Sequence, residues 1–532
     1  MRDVVCSKGA VVAADKYGAQ AGADILRKGG NAFDAAVATA LAECVVQLHN
    51  VGLGGYAGTM VMYVAKEDAV IALDFDGRAP LASKPDMFAV EGTPCGAVID
   101  GDGHSEDQDI QERGHLCVVA PPIVAGLAAV LERYGTMSFE DVALAAQKLA
   151  EEGFPVYPGL AGAMERFVKN ADPKYVHALL PNGVPNVGDT LVQKDMADLM
   201  ARLRKEGPEI FYKGDIPRAI VSAVRSGGGI LDETDFLMVA PRFEEPVSIQ
   251  SGDYEVFTPQ PPAGGLTALQ ILNIMSYSDL TDSELGSAKY YHHLIEASKH
   301  AWQERFDYMA DPLFADVPVH KMLSGEHARE LWSRIETGER AEMIADPAGA
   351  GHTVHLVTAD KDRNMVSMTA TQGSWFGSFL VVEGLGMLLG NGMSRFDRAP
   401  GRLNSVAPCK RMQHNMSPLI ITKNGRPYCG IGLPGGRKIV SVTALLAHAL
   451  TRFGTTCGEA IDLPRFHIED PEPAQVDSEK VADEIKREYG ADYPVTVSKT
   501  RLGGPVAGVM LARETDHLMA ASEFGPDCVA TD

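Results

Sequence analysis

The strongest constraint on how this chain can fold is one run near its middle. Thr353-Val354-His355-Leu356-Val357 opens a stretch of alternating character, Asp360-Lys361-Asp362-Arg363-Asn364 is polar, and Met365-Val366-Ser367-Met368-Thr369-Ala370-Thr371 follows. Strand, polar turn and strand make a β-hairpin. Thr353 and Thr371 each lie nine positions from Asp362, so a turn at Asp362 sets them opposite each other on one face. Threonine is a favoured strand residue, so the pair is also compatible with a purely structural hairpin.

The chemical reading of the pair rests on its surroundings. A threonine hydroxyl is a poor nucleophile until a base takes its proton. If the chain is cut between His352 and Thr353, the new α-amino group becomes that base, with an unperturbed pKa of about 8. Only an N-terminal Thr, Ser or Cys holds nucleophile and base in one residue. Thr371 is then placed to fix the rotamer of Thr353. Ahead of the pair, residues 336–351 end in Asp346-Pro347-Ala348-Gly349-Ala350-Gly351 and have the composition of a flexible lead, as any linker does.

A chain of 532 residues exceeds one small core, so two domains or one large layered domain is expected. Its 45% hydrophobic and 22% charged residues are those of a globular protein. A formal net charge of −23 argues against a nucleic-acid partner. The start, Met1-Arg2-Asp3-Val4-Val5-Cys6-Ser7-Lys8, has no apolar signal core, and no apolar run reaches membrane-span length. A cytoplasmic location without membrane attachment is expected. The eight cysteines are scattered without a Cys-x-x-Cys pair, which fits reduced, buried thiols. No cofactor and no catalytic metal are expected. His352 and His355 lie three apart on a strand and face opposite sides, and His292-His293 are adjacent on a helix.

Along the chain, residues 10–45 read as a strand and a long Ala-rich helix capped by Asn31. Gly52-Leu53-Gly54-Gly55-Tyr56-Ala57-Gly58 precedes a strand, whereas a dinucleotide fingerprint follows one, so it reads as close backbone approach in a packed turn. Residues 95–115 read as a polar surface loop, and 123–335 as mostly helical, with one amphipathic helix from Ala288 to Met309 broken by Asp311-Pro312. Residues 353–460 read as strand-rich, with a helix near Val440–Thr451.

Taken in order, the segments carry a resemblance over nearly the whole length. They are Gly29-Gly30-Asn31-Ala32-Phe33-Asp34-Ala35-Ala36, Gly52-Leu53-Gly54-Gly55, Pro261-Pro262-Ala263-Gly264-Gly265, His293-Leu294-Ile295-Glu296-Ala297, Asp311-Pro312, Phe376-Gly377-Ser378, Asn415-Met416-Ser417-Pro418, Pro434-Gly435-Gly436 and Pro464-Arg465-Phe466-His467. Together they resemble the γ-glutamyltransferase family of N-terminal-nucleophile (Ntn) hydrolases. The resemblance implies an αββα four-layer sandwich, of the α+β class, formed jointly by two chains of one self-cleaved precursor. These are a large subunit, 1–352, and a small subunit, 353–532, that together make one Ntn-hydrolase domain. It implies Thr353 as nucleophile and Thr371 as its hydrogen-bond partner. Gly435 and Gly436 match the pair whose backbone N–H groups form the oxyanion hole.

The chain departs from the family where substrate is held. The family's acidic residue for an α-amino group aligns with Arg395, which attracts a carboxylate instead. The asparagine two positions after the second threonine is Gly373. The paired serines before Met-Ser-Pro become His414 and Asn415. The carboxylate-binding arginine aligns with Asp76, with Arg78 two residues on. Arg78 and Arg395 are thus expected to hold a small acidic amide, each in bidentate fashion. The alternative for Arg395 is solvent exposure or pairing with Asp397 or Glu383. The run from Asn391-Gly392-Met393 to Asn404-Ser405-Val406-Ala407-Pro408 is closer to the acylase-like and amidohydrolase branch than to the glutathione branch. The expected function is a self-processing amidohydrolase for a small acidic amide. Alternatives are a γ-glutamyl transferase or hydrolase acting on glutathione-like amides, and an unprocessed pseudoenzyme scaffold. The expected partners are the substrate and the protein's own cleaved subunit.

Overall fold

The computed structural model describes residues 3–88, 110–339, 341, 352–468, 472–512, 515 and 517–531. The hairpin forms from His352–Ala359 and Met365–Gly373, with Thr353 opposite Thr371 and Ala359 opposite Met365. Its turn is built by Asp360, whose Oδ1 accepts from the backbone N–H of Asp362 and of Asn364 at 2.9 and 3.0 Å. The other oxygen of Asp360 accepts from the N–H of Ala32 at 2.9 Å, which ties the turn to the start of the helix Ala32–Val46.

Two seven-stranded sheets, antiparallel throughout, face each other. The first runs Val529–Thr531, Ala10–Val12, His352–Ala359, Met365–Gly373, Ala57–Val64, Ala69–Asp76, Arg242–Glu244. The second runs Asp3–Cys6, Leu518–Ser522, Ala507–Leu511, Arg426–Gly432, Leu419–Lys423, Tyr254–Thr258, Val247–Ser251. Side chains alternate across each strand. Val357, Ala359 and Met365 point inward and meet Ile420, Val509 and Ala520 of the second sheet. Val354, Leu356, Met368 and Ala370 point outward into a core shared with the helix Ala32–Val46. On the far side, Leu419, Ile421 and Ile431 pack with the helices Gly265–Met275 and Lys438–Arg452. Helix, sheet, sheet, helix is the αββα sandwich that the resemblance implies.

Several local readings hold. Asn31 caps the helix Ala32–Val46 in a reciprocal capping box with Asp34. The long helix runs Ala288–Tyr308 and the later one Lys438–Arg452. The glycine run does allow close approach: a Cβ on Gly54 would sit 2.1 Å from the Leu388 carbonyl oxygen, and one on Gly58 would enter the Phe75 ring. Two readings need correction. Residues 10–45 hold two helices, Lys16–Arg27 and Ala32–Val46, because Gly29 takes a left-handed φ of 93° and turns the chain between them. The stretch 123–335 is interrupted by strands Arg242–Glu244, Val247–Ser251 and Tyr254–Thr258, where alternation in Val247, Ile249 and Val256 outweighs the helical surroundings. The loop at 95–115 lies outside the described residues up to 109, as does most of the lead at 336–351.

Candidate active site

At the end of the hairpin the pairing slips. His352 is opposite Gly373 and Thr353 opposite Thr371, so the register shift falls between His352 and Thr353. Such a bulge re-aims the strand locally. Gln372, the residue left over, is buried and anchored by its amide to the Leu48 carbonyl at 2.9 Å. Thr353 and Thr371 share the inward face and are both buried. Thr371 Oγ1 accepts from the Gly373 N–H at 2.9 Å. Gly373 has a φ of 102°, and a Cβ there would sit 1.8 Å from Asn391 Oδ1. Only glycine fits this position.

A narrow cleft opens at this point. It is lined by Tyr56, Thr353, Thr371, Gly373, Arg395, His414, Asn415, Met416, Gly436 and Ile439. Most of the residues expected at the site therefore meet in one place. Gly435 and Gly436 sit in the loop between the strand Arg426–Gly432 and the helix Lys438–Arg452, with φ of 136° and 64°. A Cβ on Gly435 would come within 2.6 Å of the Gly504 backbone nitrogen. The loop thus presents backbone N–H groups at a helix N-terminus, where they favour negative charge.

Arg395 lies in the short 3-10 turn Gly392–Arg395 and is half-buried. Its Nη2 donates to Ser374 Oγ at 3.4 Å. Ser374 Oγ donates to Glu112 Oε2 at 3.0 Å, and the Asn391 amide donates to the same carboxylate oxygen at 2.9 Å. Burial pushes the Tyr56 phenol up to about 12, against the opposing pull of Arg395. Tyr56 is therefore neutral at working pH.

The opposite wall is ionic. His414 is 3% exposed, and its Nε2 lies 2.9 Å from Asp76 Oδ2. Behind them, the Asp76 N–H donates to Asp74 Oδ1 at 2.8 Å. Asp74 pairs with Arg411 and, at 2.6 Å, with Arg242. Arg411 also clamps Asp311 through Nη2 at 2.8 Å and through its backbone N–H at 2.9 Å. Burial alone would raise the Asp74 carboxyl, yet the Arg411 and Arg242 guanidiniums hold it below the usual range. Asp76 has no such pair of cations. Burial pushes its carboxyl up, His414 draws it down and Asp74 adds to the rise, and the net direction is upward. Asn415 Oδ1 accepts from Arg305 Nη2 at 2.9 Å, and Arg305 also donates to the His414 carbonyl at 3.1 Å.

Arg78 is not brought into this cleft. Its backbone bridges to Arg411, its Nη1 donates to the Cys409 carbonyl at 3.2 Å, and it lines a separate crevice with Asp235, Met238 and Val239. Arg78 and Arg395 line different crevices, so the expected pairing of the two around one substrate is not met. Sequence reasoning missed Glu112, Ser374 and Arg305, which are scattered positions without a motif. It also missed the role of Asp311, although the Asp311-Pro312 step was visible. Among the described residues no three His, Cys, Asp or Glu side chains come together as a metal-holding group.

Comparison with known proteins gives the chain its family. The Gamma-glutamyltranspeptidase family model matches residues 18–528. The chain is 32% identical over 486 residues to the glutathione hydrolase proenzyme of Escherichia coli, covering 87% of this chain and 81% of that protein. It is 32% identical over 473 residues to the acylase ACY 1 proenzyme of a Pseudomonas species, covering 87% and 83%. The cephalosporin acylase structure from Bacillus halodurans superposes with a TM-score of 0.87 at 28% identity, covering 100% of this chain and 97% of that one. The chain belongs to the gamma-glutamyltranspeptidase family and is a hydrolase of amide C–N bonds.

Proposed function

We propose that this protein is a self-processing amidohydrolase that cleaves a small acidic amide through an acyl-Thr353 intermediate. The observation that carries this reading is the cross-strand pair Thr353–Thr371 at a register shift, in one cleft with Gly436 and Arg395. In processing, Thr353 Oγ attacks the His352 carbonyl carbon, the peptide C–N bond breaks, and the acyl group passes from nitrogen to oxygen. Water then hydrolyses the ester, leaving a carboxylate on His352 and a free amine on Thr353. Two chains, of 352 and 180 residues, result.

In turnover the Thr353 amine takes the hydroxyl proton as Oγ attacks the substrate carbonyl. The oxyanion is received by the N–H groups of Gly435 and Gly436, a role worth roughly 2.7–4 kcal/mol per donor in other enzymes. The C–N bond breaks, the leaving amine departs with the proton, and water resolves the acyl ester. Thr371 Oγ1 accepts from the Gly373 N–H, and its position opposite Thr353 supports the reading that its hydroxyl proton is donated to Thr353. Arg395 supplies the positive charge that selects a carboxylate on the substrate.

A second reading, hydrolysis or transfer of γ-glutamyl groups, draws support from the glutathione hydrolase proenzymes among the relatives. Against it, a cation on the cleft wall disfavours an ammonium group nearby. Intact mass and a denaturing gel on fresh protein and on Thr353→Ala test the first step. Two chains in the parent and one in the variant are expected. A single band in both would leave an unprocessed scaffold as the better reading. Glutaryl-p-nitroanilide is then expected to outperform L-γ-glutamyl-p-nitroanilide, with no acceleration by glycylglycine; the reverse order with acceleration would establish the transferase.

A further inference from the structure

The His414 ring carries a group that the chemistry above does not use. Its Nε2 faces the Asp76 carboxylate at 2.9 Å, and both side chains are almost completely buried. A carboxylate accepts, so Nε2 carries the proton, and in the neutral imidazole Nδ1 then carries the lone pair. Nδ1 is buried and has no hydrogen-bond partner within the protein. Native proteins seldom leave such an acceptor unmet. His414 also lines the Thr353 cleft, together with Arg395. The backbone beneath the ring is anchored: the His414 main-chain N–H donates to the Pro262 carbonyl at 3.3 Å and its main-chain carbonyl accepts from Arg305 at 3.1 Å. A ring held at Nε2 on an anchored backbone, with an unmet nitrogen and in a residue that lines the cleft, is suited to meet a donor that comes from outside.

We propose that His414, oriented by Asp76, is a specificity-determining acceptor for a neutral O–H or N–H group adjacent to the carboxylate that Arg395 receives. The substrate class is thereby narrowed from acidic amides in general to those whose acyl part is a carboxylate bearing a neighbouring donor, as in a 2-hydroxy acid. The inference rests on the reading of the Thr353 cleft as the substrate site. Asp76 is a positioning residue: it sets the tautomer and touches no substrate.

The test is calorimetric binding of glutarate and of 2-hydroxyglutarate to the full protein, which needs no turnover. Wild type is expected to bind the hydroxy acid at least about tenfold more tightly. His414→Phe is expected to bring the two affinities within about twofold of each other. His414→Gln, whose side-chain carbonyl can accept, should retain part of the preference. Asp76→Asn should lower it without altering glutarate binding, which a merely structural role for the pair would not do. Equal affinities in wild type, an unaltered preference in His414→Phe, or failure of both acids to bind would overturn the proposal. The gel on the same samples separates the two readings. Processed protein with no preference sinks only the role of His414, while unprocessed protein that keeps the preference sinks only the self-cleaving enzyme.

Discussion

The two walls of the Thr353 cleft are held by different physics. On one, Arg395 is half-buried and leans on Ser374, which shares the Glu112 carboxylate with Asn391. On the other, His414 leans on Asp76, and behind that pair stand Asp74, Arg411, Arg242 and Asp311. The first wall is a short-range hydrogen-bond chain that runs from the half-buried Arg395 through Ser374 to the buried Glu112 carboxylate. The second is a desolvated ion network whose members have little water to fall back on. Breaking a buried pair by removing one partner leaves the other charge uncompensated, whereas an exposed charge is rehydrated. Truncation of the ions behind His414 should therefore be read chiefly in stability, and truncation of Arg395 chiefly in affinity for a carboxylate.

The largest effect is expected from Arg411→Ala. Asp74 and Asp311 would be left buried, and a loss of about 3–5 kcal/mol is expected in urea unfolding. A variant as stable as the parent would mean that the second wall is not held by its ions. Gly373→Ala comes next. A side chain at φ 102° that collides with Asn391 Oδ1 should cost roughly 1–3 kcal/mol and also slow processing, because Thr371 is bonded to that N–H. Slowed processing would appear as residual full-length band in a time course. Arg395→Ala should change stability by less than about 1 kcal/mol yet raise KM for glutaryl-p-nitroanilide by about tenfold or more. A stability loss as large as that of Arg411→Ala would erase the contrast between the walls.

The smallest effect is a slope with pH. The Asp76 carboxyl sits higher in the native protein than the ordinary value of about 3.9 that it has unfolded. The native state thus holds this proton more tightly. Its unfavourable contribution is absent below about pH 3.9 and is fully felt once pH has risen past the native value. Asp76→Asn removes the titration, so the stability difference between variant and parent should shift toward the variant as pH rises through that window. A difference that is flat with pH would show that His414 compensates Asp76 completely.

What was legible in the sequence follows the same division. The hairpin was readable because a period of two and a symmetric turn at Asp362 determine the register, and Thr353 does stand opposite Thr371. Asn31, the helix Ala288–Tyr308 and the glycine run were readable for the same local reasons. Arg395 could be singled out as a charge in an unexpected place. The ion network could not be read, since Asp74, Asp311 and Arg411 are brought together only by the tertiary fold. Arg78 was misplaced for that reason: nothing local says that its loop is pinned to Arg411 rather than open to the cleft. The strands at 242–258 were lost because short edge strands carry little pattern and lie among helices.

The order of strands has one more consequence. Both sheets mix segments from either side of His352–Thr353: Ala10–Val12 and Ala57–Val64 flank the hairpin in the first, while Tyr254–Thr258 pairs with Leu419–Lys423 in the second. A cut at that bond would sever the backbone without dividing the molecule, because neither piece owns a complete sheet. It would nevertheless change how the molecule is lost and regained. An uncut chain that unfolds can find its way back alone, at a rate indifferent to dilution. A cut one must meet its other half again, so recovery from heat should fall as the protein is diluted, and the mature form is kept by slow unfolding rather than by reversible folding.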